Sequence, residues 1–146
     1  IVAALVAITP AAGFVGSMHS FVFGALAGVI CFFAIEAKFR FGFDDSLDVV
    51  GIHFVGGAVG GILLGFMADS SAVPGGDFEN GVFFGGGILL WNQILSIAVV
   101  TAFSFVATYI IAKVMDKTIG LRVTESTEMT GLDVSDHGEA AYVMEP

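Results

Sequence analysis

Charged residues are scarce in this sequence. Of 146 residues only 13% are charged, whereas 56% are hydrophobic, and the mean hydropathy is +0.93. A soluble domain of this length could not bury so much apolar surface, because its exterior would itself be largely apolar. The shortage of charge therefore excludes an ordinary water-soluble protein and indicates a membrane protein built from apolar helices.

Basic residues and cysteines are scarcer still. Lys and Arg number five against fourteen Asp and Glu, so the net charge is −9, and no basic cluster exists to bind nucleic acid. The single cysteine, Cys31, excludes an internal disulfide and lies in an apolar run, where we expect a buried, unreactive thiol. No Cys/His spacing, Walker loop or Ser/His/Asp arrangement indicates a metal, a cofactor or an enzyme.

Apolar runs divide the sequence into predicted membrane spans. Residues 1–8 resemble the end of a cut helix, so we expect a fragment truncated at its N-terminus, with Pro10 and Gly13 breaking that helix. His19 and Ser20 are predicted to lie in a short polar connection. Three further runs can cross a hydrocarbon layer of about 30 Å, namely residues 21–37, 49–67 and 88–114. We expect a transmembrane region over 1–114 and a polar tail over 115–146.

The five basic residues occupy only two segments. Lys38 and Arg40 follow the first complete span, and Lys113, Lys117 and Arg122 lie at or after the end of the last one. The links 9–20 and 68–87 contain none. Alternating spans place both basic segments on one side, which the positive-inside rule makes cytoplasmic. The sequence predicts a multi-pass protein of the cell membrane with a cytoplasmic C-terminus.

The stretch over residues 44–65, DDSLDVVGIHFVGGAVGGILLG, contains most of the residues that bear on function. Asp45, Ser46 and Asp48 precede the apolar span and suit a helix start. Asp48 is expected to cap the helix or to have a structural role near the pore, although a carboxylate there could also bind a cation. Glycines repeat inside the span at a spacing of four. Such a repeat weakens a helix in water but permits close helix contact in lipid. We assign helix packing to Gly56, Gly57, Gly60 and Gly61.

His53 lies about one turn inside this span, near the face that carries Val49. One interpretation is a histidine hydrogen-bonded to a neighbouring helix for packing. The other is a pore-lining imidazole, because ionisable residues at membrane depth are costly and indicate function. A neutral imidazole has one donating and one accepting nitrogen, which suits a substrate that itself gains or loses a proton. On the functional interpretation His53 and Val49 line a pore.

Three stretches, in order along the chain, resemble the ammonium transporter family (the Amt/Mep/Rh superfamily). The pattern Asp48-x-x-Gly51-x-His53-x-x-Gly56-Gly57 resembles that family's penultimate membrane helix. ITPAAGFV at 8–15 resembles its kinked helix end, and GLRVTESTEMTGLDVSDHGEAAY at 120–142 resembles its cytoplasmic tail. Phe54 departs from the pattern, since glycine is commonest after the histidine, and we expect its ring to face away from the pore.

The resemblance implies an all-α transmembrane helix bundle, the C-terminal part of an eleven-span fold that assembles as a homotrimer with a hydrophobic pore in each subunit. It makes His53 the second of two pore histidines that relay a proton, with ammonium or ammonia as the substrate in nitrogen uptake. Neither an enzyme nor a cofactor is implied. The alternatives are an Rh-like gas channel, an ammonium sensor with little flux, or a structural helical subunit of a membrane complex.

The acid-rich tail, taken by composition alone, is typical of solvated, disordered segments. The resemblance instead implies an ordered regulatory arm, including Gly120 and Asp133, that docks beneath a neighbouring subunit. In bacteria that arm also meets PII-type signal proteins. Ser135 falls where plant relatives carry a phosphorylatable threonine. Phosphate there would add negative charge beside Asp133 and Asp136 and favour undocking by repulsion.

Overall fold

The structure, a computed structural model, describes residues 1–140, and all regular structure within that range is helical. The predicted all-α fold is therefore confirmed for this part of the chain. Its six α-helices are α1 (Val2–Ile8), α2 (Ser17–Phe41), α3 (Val55–Met67), α4 (Ile88–Thr118), α5 (Glu125–Thr130) and α6 (Leu132–His137). A π-helical turn over Val50–Phe54 leads directly into α3. Short 3-10 turns occupy Thr9–Ala11, Ser70–Ala72 and Val82–Phe84.

Three helical segments are long and apolar enough to cross a membrane. They are α2 with 25 residues, Val50–Met67 with 18 and α4 with 31, with mean hydropathies of 2.1, 1.8 and 2.3 over their most apolar windows. This composition makes the chain part of a multi-pass membrane protein. Both α2 and α4 extend beyond the predicted 21–37 and 88–114, because polar residues at their ends still take part in helical hydrogen bonding. Gly42, at a φ of 66°, ends α2.

His19 and Ser20 lie in the first turn of α2, so their predicted placement in a polar connection was wrong. The backbone N–H of His19 donates to the carbonyl of Gly16 at 3.0 Å, and the Ser20 hydroxyl donates to the carbonyl of Ser17 at 2.6 Å. Polar residues are compatible with a helix start, where the first backbone amides have no helical partner. The His19 ring packs edge-on against Phe84, with 5.4 Å between centroids.

The helix break predicted near Pro10 is confirmed. The α1 helix ends at Ile8, and Pro10 lies in the following 3-10 turn, as expected for a residue without a backbone N–H. Gly13 has a φ of 85°, a conformation that glycine adopts without steric cost. The chain then reverses into α2.

The core of the described chain lies where α1, α2 and α3 pack together with the link that follows α3. Its buried residues are Ala11, Phe23, Leu64, Met67 and Ala68. The link 68–87 folds back onto this core: the Asp69 amide donates to the carbonyl of Phe14 at 3.0 Å, and the rings of Phe14 and Phe78 meet edge-on at 5.0 Å. These contacts make the link an ordered cover over one end of α3.

The chain divides into two compact units, and the division falls within α4, between Thr101 and Ala102. The first unit holds α1 to α3 and the start of α4. The second holds the remainder of α4 together with α5 and α6. Residues 141–146 of the predicted tail lie outside the described part of the chain.

Candidate functional site at the turn before α3

His53 lies in the π-helical turn that precedes α3. At the end of this turn the Val55 amide donates to the carbonyls of both Ile52 and Val50. The bond from Val55 to Val50 spans five residues instead of the four of an α-helix. Single π-helical turns inside longer helices occur frequently at functional sites. The turn therefore singles out the same histidine that the sequence indicated, and the side chain is exposed within the described chain.

Carboxylates hold the start of this turn. The two oxygens of Asp45 accept hydrogen bonds from the amides of Val49 and Val50, at 2.8 and 2.9 Å. Asp48 instead forms an ion pair with Lys38. Of the residues expected at the helix start, Asp45 therefore caps the turn, whereas the side chain of Asp48 is engaged by Lys38. The reason is geometric: Asp48 has a φ of 57°, and its side chain is directed to Lys38.

An apolar recess of about 300 Å³ lies beside His53. Residues of the π-helical turn, α3 and α4 line it, namely His53, Phe54, Gly57, Ala58, Ser96, Ile97, Val100 and Thr101. Within this lining the imidazole is the one titratable group, and the hydroxyls of Ser96 and Thr101 are the other polar side-chain groups. The recess can thus hold a small neutral molecule close to a proton donor and acceptor.

Phe54 and Val49, which are close to His53 in the sequence, differ in their relation to this recess. Phe54 lines it alongside the histidine, and the expectation that its ring faces away from the pore stays a prediction. Val49, predicted to share the histidine's environment, is 49% exposed and is not among the residues that line the recess in the described chain. A π-helical turn has more residues per turn, and therefore a smaller rotation per residue, than the α-helix assumed from the spacing, so the faces shift.

The glycines of α3 divide into packing and open positions. A Cβ on Gly60 would lie 2.1 Å from the carbonyl oxygen of Ala7, and one on Gly61 would lie 3.0 Å from Cδ1 of Ile97. A Cβ on Gly56 would contact Sγ of Cys31 at 3.4 Å. These three glycines permit close helix approach, as predicted. Gly57 would meet nothing within 4 Å and borders the recess, so the described contacts give it no packing role.

The predicted tail residues Gly120, Asp133 and Ser135 lie in the second unit. Gly120, with a φ of 79°, donates its amide to the carbonyl of Met115 at 3.1 Å and so closes the end of α4. The Ser135 hydroxyl donates to the carbonyl of Gly131 at 2.8 Å, and Asp133 Oδ1 accepts from the amide of Val134 at 3.0 Å. These are local bonds of α6, and Ser135 remains exposed.

The first part of the tail folds into helices instead of remaining irregular. Thr124 caps α5 by accepting from the amide of Thr127 at 3.3 Å. Arg122 forms an exposed ion pair with Glu128 at 2.8 Å, which connects the segment before α5 to the first turn of that helix. Within the described residues the tail thus contains two short helices, which composition alone did not indicate because capping and pairing are local effects. The docking of this arm beneath a neighbouring subunit stays a prediction.

Lys38 contributed only to the predicted membrane orientation in the sequence analysis. In the structure it pairs with Asp48, close to the turn that contains His53. The sequence did contain a sign of this ion pair, because three carboxylates follow Lys38 within ten residues in the link to the span that contains His53. Ser96 and Thr101 were also missed, because hydroxyls are common in apolar helices and give little signal alone. Among the described residues, no three His, Cys, Asp or Glu side chains lie close enough to hold a metal ion.

The apolar helices, the glycine contacts between them and an imidazole in a π-helical turn define part of a multi-pass α-helical membrane protein with an ionisable side chain in one of its apolar segments. Comparison with known proteins identifies the family within this class. A family model described as the Ammonium Transporter Family matches residues 1–142. The chain belongs to the ammonium transporter family, a family of transporters and not of enzymes.

Individual relatives agree with this assignment. The chain is 44% identical over 142 residues to an ammonium transporter of Bacillus subtilis, covering 97% of this chain and 35% of the relative. It is 40% identical over 141 residues to ammonium transporter Amt1 of Archaeoglobus fulgidus, again covering 97% and 35%. The crystal structure of Candida albicans Mep2 matches with a TM-score of 0.79 and 35% identity, over 86% of this chain and 28% of that one. The chain thus spans about a third of the length of these relatives.

Proposed function

We propose that this chain is the C-terminal part of a transporter that carries ammonium or ammonia across the membrane, and that His53 is half of a proton relay in its pore. The observation that carries the proposal is the exposed imidazole of His53 at the end of a π-helical turn, bordering an apolar recess with two hydroxyls. Membership of the family and the names of its relatives support ammonium as the substrate.

Solvation explains why an imidazole serves such a pore. An ammonium ion entering an apolar channel loses strong hydration, at a cost of several kcal/mol or more. Transfer of its proton to a relay removes most of that cost, because ammonia is neutral. Alkali cations cannot lose a charge in this way, so apolar walls exclude them. A group that can both accept and donate a proton near neutral pH suits this task.

The test replaces His53 by Ala in the full-length transporter and measures ammonium uptake together with potassium permeation. We expect uptake to fall on the order of 100-fold, as is typical when a positioned proton-transfer group is removed, or selectivity over potassium to be lost. His137→Ala, in the exposed last turn of α6, is the matched control and should transport normally. A His53→Ala protein with full uptake and full selectivity would refute the relay.

A second variant separates this function from a purely structural role. A helical subunit that only supports a membrane complex should tolerate His53→Phe, since the recess beside it is apolar and has room for a ring. The transporter proposal expects altered flux from the same change. Measuring flux and assembly in one preparation distinguishes the two.

The setting of the transporter is part of the proposal. We place it in the cell membrane as a homotrimer, as the family resemblance implies. Its C-terminus is proposed to be cytoplasmic, because every basic residue lies at or after the C-terminal end of α2 or of α4. The tail would act as a regulatory arm that meets a neighbouring subunit and PII-type signal proteins. Its two short helices with an exposed Ser135 hydroxyl support that role. Cross-linking of the full-length protein would show the oligomeric state.

A further inference from the structure

The link between α2 and the π-helical turn is fastened by one lysine. Lys38 Nζ donates to the backbone carbonyl of Asp45 at 2.6 Å and pairs with the carboxylate of Asp48. The Lys38 side chain is only 12% exposed and that of Asp48 31%. A partly buried ammonium group in an apolar protein is retained only where its partners offset the loss of water. This ion pair therefore joins the end of α2 to the start of the histidine span.

The backbone at Asp48 shows what the pair holds in place. Asp48 is the only residue other than glycine with a positive φ, 57°, in the described chain. Aspartate tolerates this left-handed conformation better than most residues, but the conformation is strained and persists only where the surroundings fix it. Directly after it, the Ile52 amide donates to the Asp48 carbonyl at 2.8 Å. Asp48 is thus the corner at which the link turns into the helix that carries the imidazole.

The other side of the turn is fixed by a close approach to α2. A Cβ on Gly51 would lie 2.8 Å from Cγ1 of Ile35 and 3.2 Å from its backbone nitrogen. The turn between Asp48 and Val55 is therefore held at its corner by Lys38 and along its length by α2. Loss of the π-helical turn to an α-helical one would rotate the residues on its two sides by about 100° relative to each other, which would redirect His53.

We propose that Lys38 and Asp48 are positioning residues for His53: their ion pair holds the left-handed corner and with it the π-helical turn that sets the direction of the imidazole. The proposal rests on the relay function proposed for His53. The ion pair does not contact the substrate in this proposal. It affects transport because it fixes the conformation of the turn and thereby the position of His53.

Two substitutions at the corner separate the pair from the backbone strain. Asp48→Gly removes the carboxylate but adopts a positive φ freely, whereas Asp48→Asn keeps an acceptor oxygen and tolerates the same φ. Lys38→Met removes the ammonium group while keeping an unbranched apolar stem. Arg40→Met is the control for lost positive charge at the same membrane face, because Arg40 is exposed.

In the full-length transporter we expect Asp48→Gly and Lys38→Met to lower ammonium uptake per molecule about tenfold, since small misplacement of a reacting group has effects of this size or larger. Both should also alter the pH profile of uptake. Arg40→Met should stay within about twofold of the parent. Asp48→Asn, which keeps a hydrogen-bond acceptor for Lys38 but not the charge, should lose less uptake than Asp48→Gly. In a His53→Ala background, Asp48→Gly should cause no further loss, because coupled residues are not additive. If Asp48→Gly lowered uptake by the same factor with and without His53, the proposal would be overturned. It would also be overturned if Asp48→Gly and Lys38→Met lowered only the amount of transporter and left the pH profile of uptake per molecule unchanged.

Amide hydrogen exchange over residues 50–55 gives a readout that does not depend on transport. We expect faster exchange in Asp48→Gly and Lys38→Met than in Arg40→Met. Unchanged exchange together with an impaired His53→Ala protein would overturn the positioning role alone. A harmless His53→Ala substitution would overturn the relay, and with it the positioning role, even if exchange became faster.

Discussion

Gly60 is the position at which α3 meets the backbone of α1, and a single methyl group there tests how tightly the bundle is packed. In Gly60→Ala the new Cβ would lie 2.1 Å from the carbonyl oxygen, 2.8 Å from the carbonyl carbon and 2.9 Å from Cα of Ala7. All three are backbone atoms, so no side-chain rotation can relieve the contact. To reach van der Waals distance, the two helices would have to separate by more than about 1 Å.

The size of the effect follows from two opposing contributions. Overpacking a core typically costs about 1–3 kcal/mol, and a rigid backbone contact belongs at the upper end of that range. Replacing glycine by alanine inside a helix contributes about 1 kcal/mol in the favourable direction. The net expectation for Gly60→Ala is a loss of about 2 kcal/mol of stability. Gly28→Ala and Gly57→Ala, where a Cβ meets nothing within 4 Å, should leave stability unchanged or slightly raised.

The assay is thermal unfolding of the full-length protein in one detergent, with the parent and the three alanine variants compared at equal concentration. Gly28→Ala is the cleaner control, because Gly57 borders the recess beside His53. If Gly60→Ala unfolded at the same temperature as Gly28→Ala, the close contact between α1 and α3 would be refuted, and the glycine repeat would need another explanation.

Two further predictions concern the link 68–87 and the tail. Hydrogen bonds from the Ser71 hydroxyl, then from the amides of Ser71 and Ala72, with a smaller effect of His19, lower the pKa of Asp69 despite the opposing desolvation. Because the pKa of Asp69 is lower in the folded than in the unfolded protein, where it is near 3.8, its ionised carboxylate stabilises the fold at pH values above 3.8. This stabilisation is lost as the pH falls through the folded pKa. The difference in stability between the parent and Asp69→Asn should therefore be constant from pH 5 to 7 and shrink below about pH 4. A difference independent of pH would contradict this. In the tail, Ser135→Asp should change ammonium uptake relative to Ser135→Ala, because it adds charge beside Asp133; equal rates would argue against a switch.

The sequence was most informative where long-range composition decides the outcome. Low charge and three apolar runs predicted membrane helices, because only helices satisfy every backbone group within a span, and the structure has three such segments. The family was also predictable, from the residues around His53 and the tail. Helix ends were less predictable. α2 includes His19 because polar side chains are compatible with the first turn of a helix, where the backbone amides have no helical partner.

The sequence by itself determined the class of protein, the family and the histidine on which the proposed function depends, since hydropathy and residue type are properties of the chain alone. Only the tertiary structure decided that Asp45 caps the histidine span while Asp48 pairs with Lys38. It also separated Gly60, against the backbone of α1, from Gly57, which has open space beside it. The physical reason is the same in both cases. Two residues of the same type at similar positions in the sequence have different roles because different atoms of other segments lie within a few ångströms of them. Those interatomic distances are set by packing.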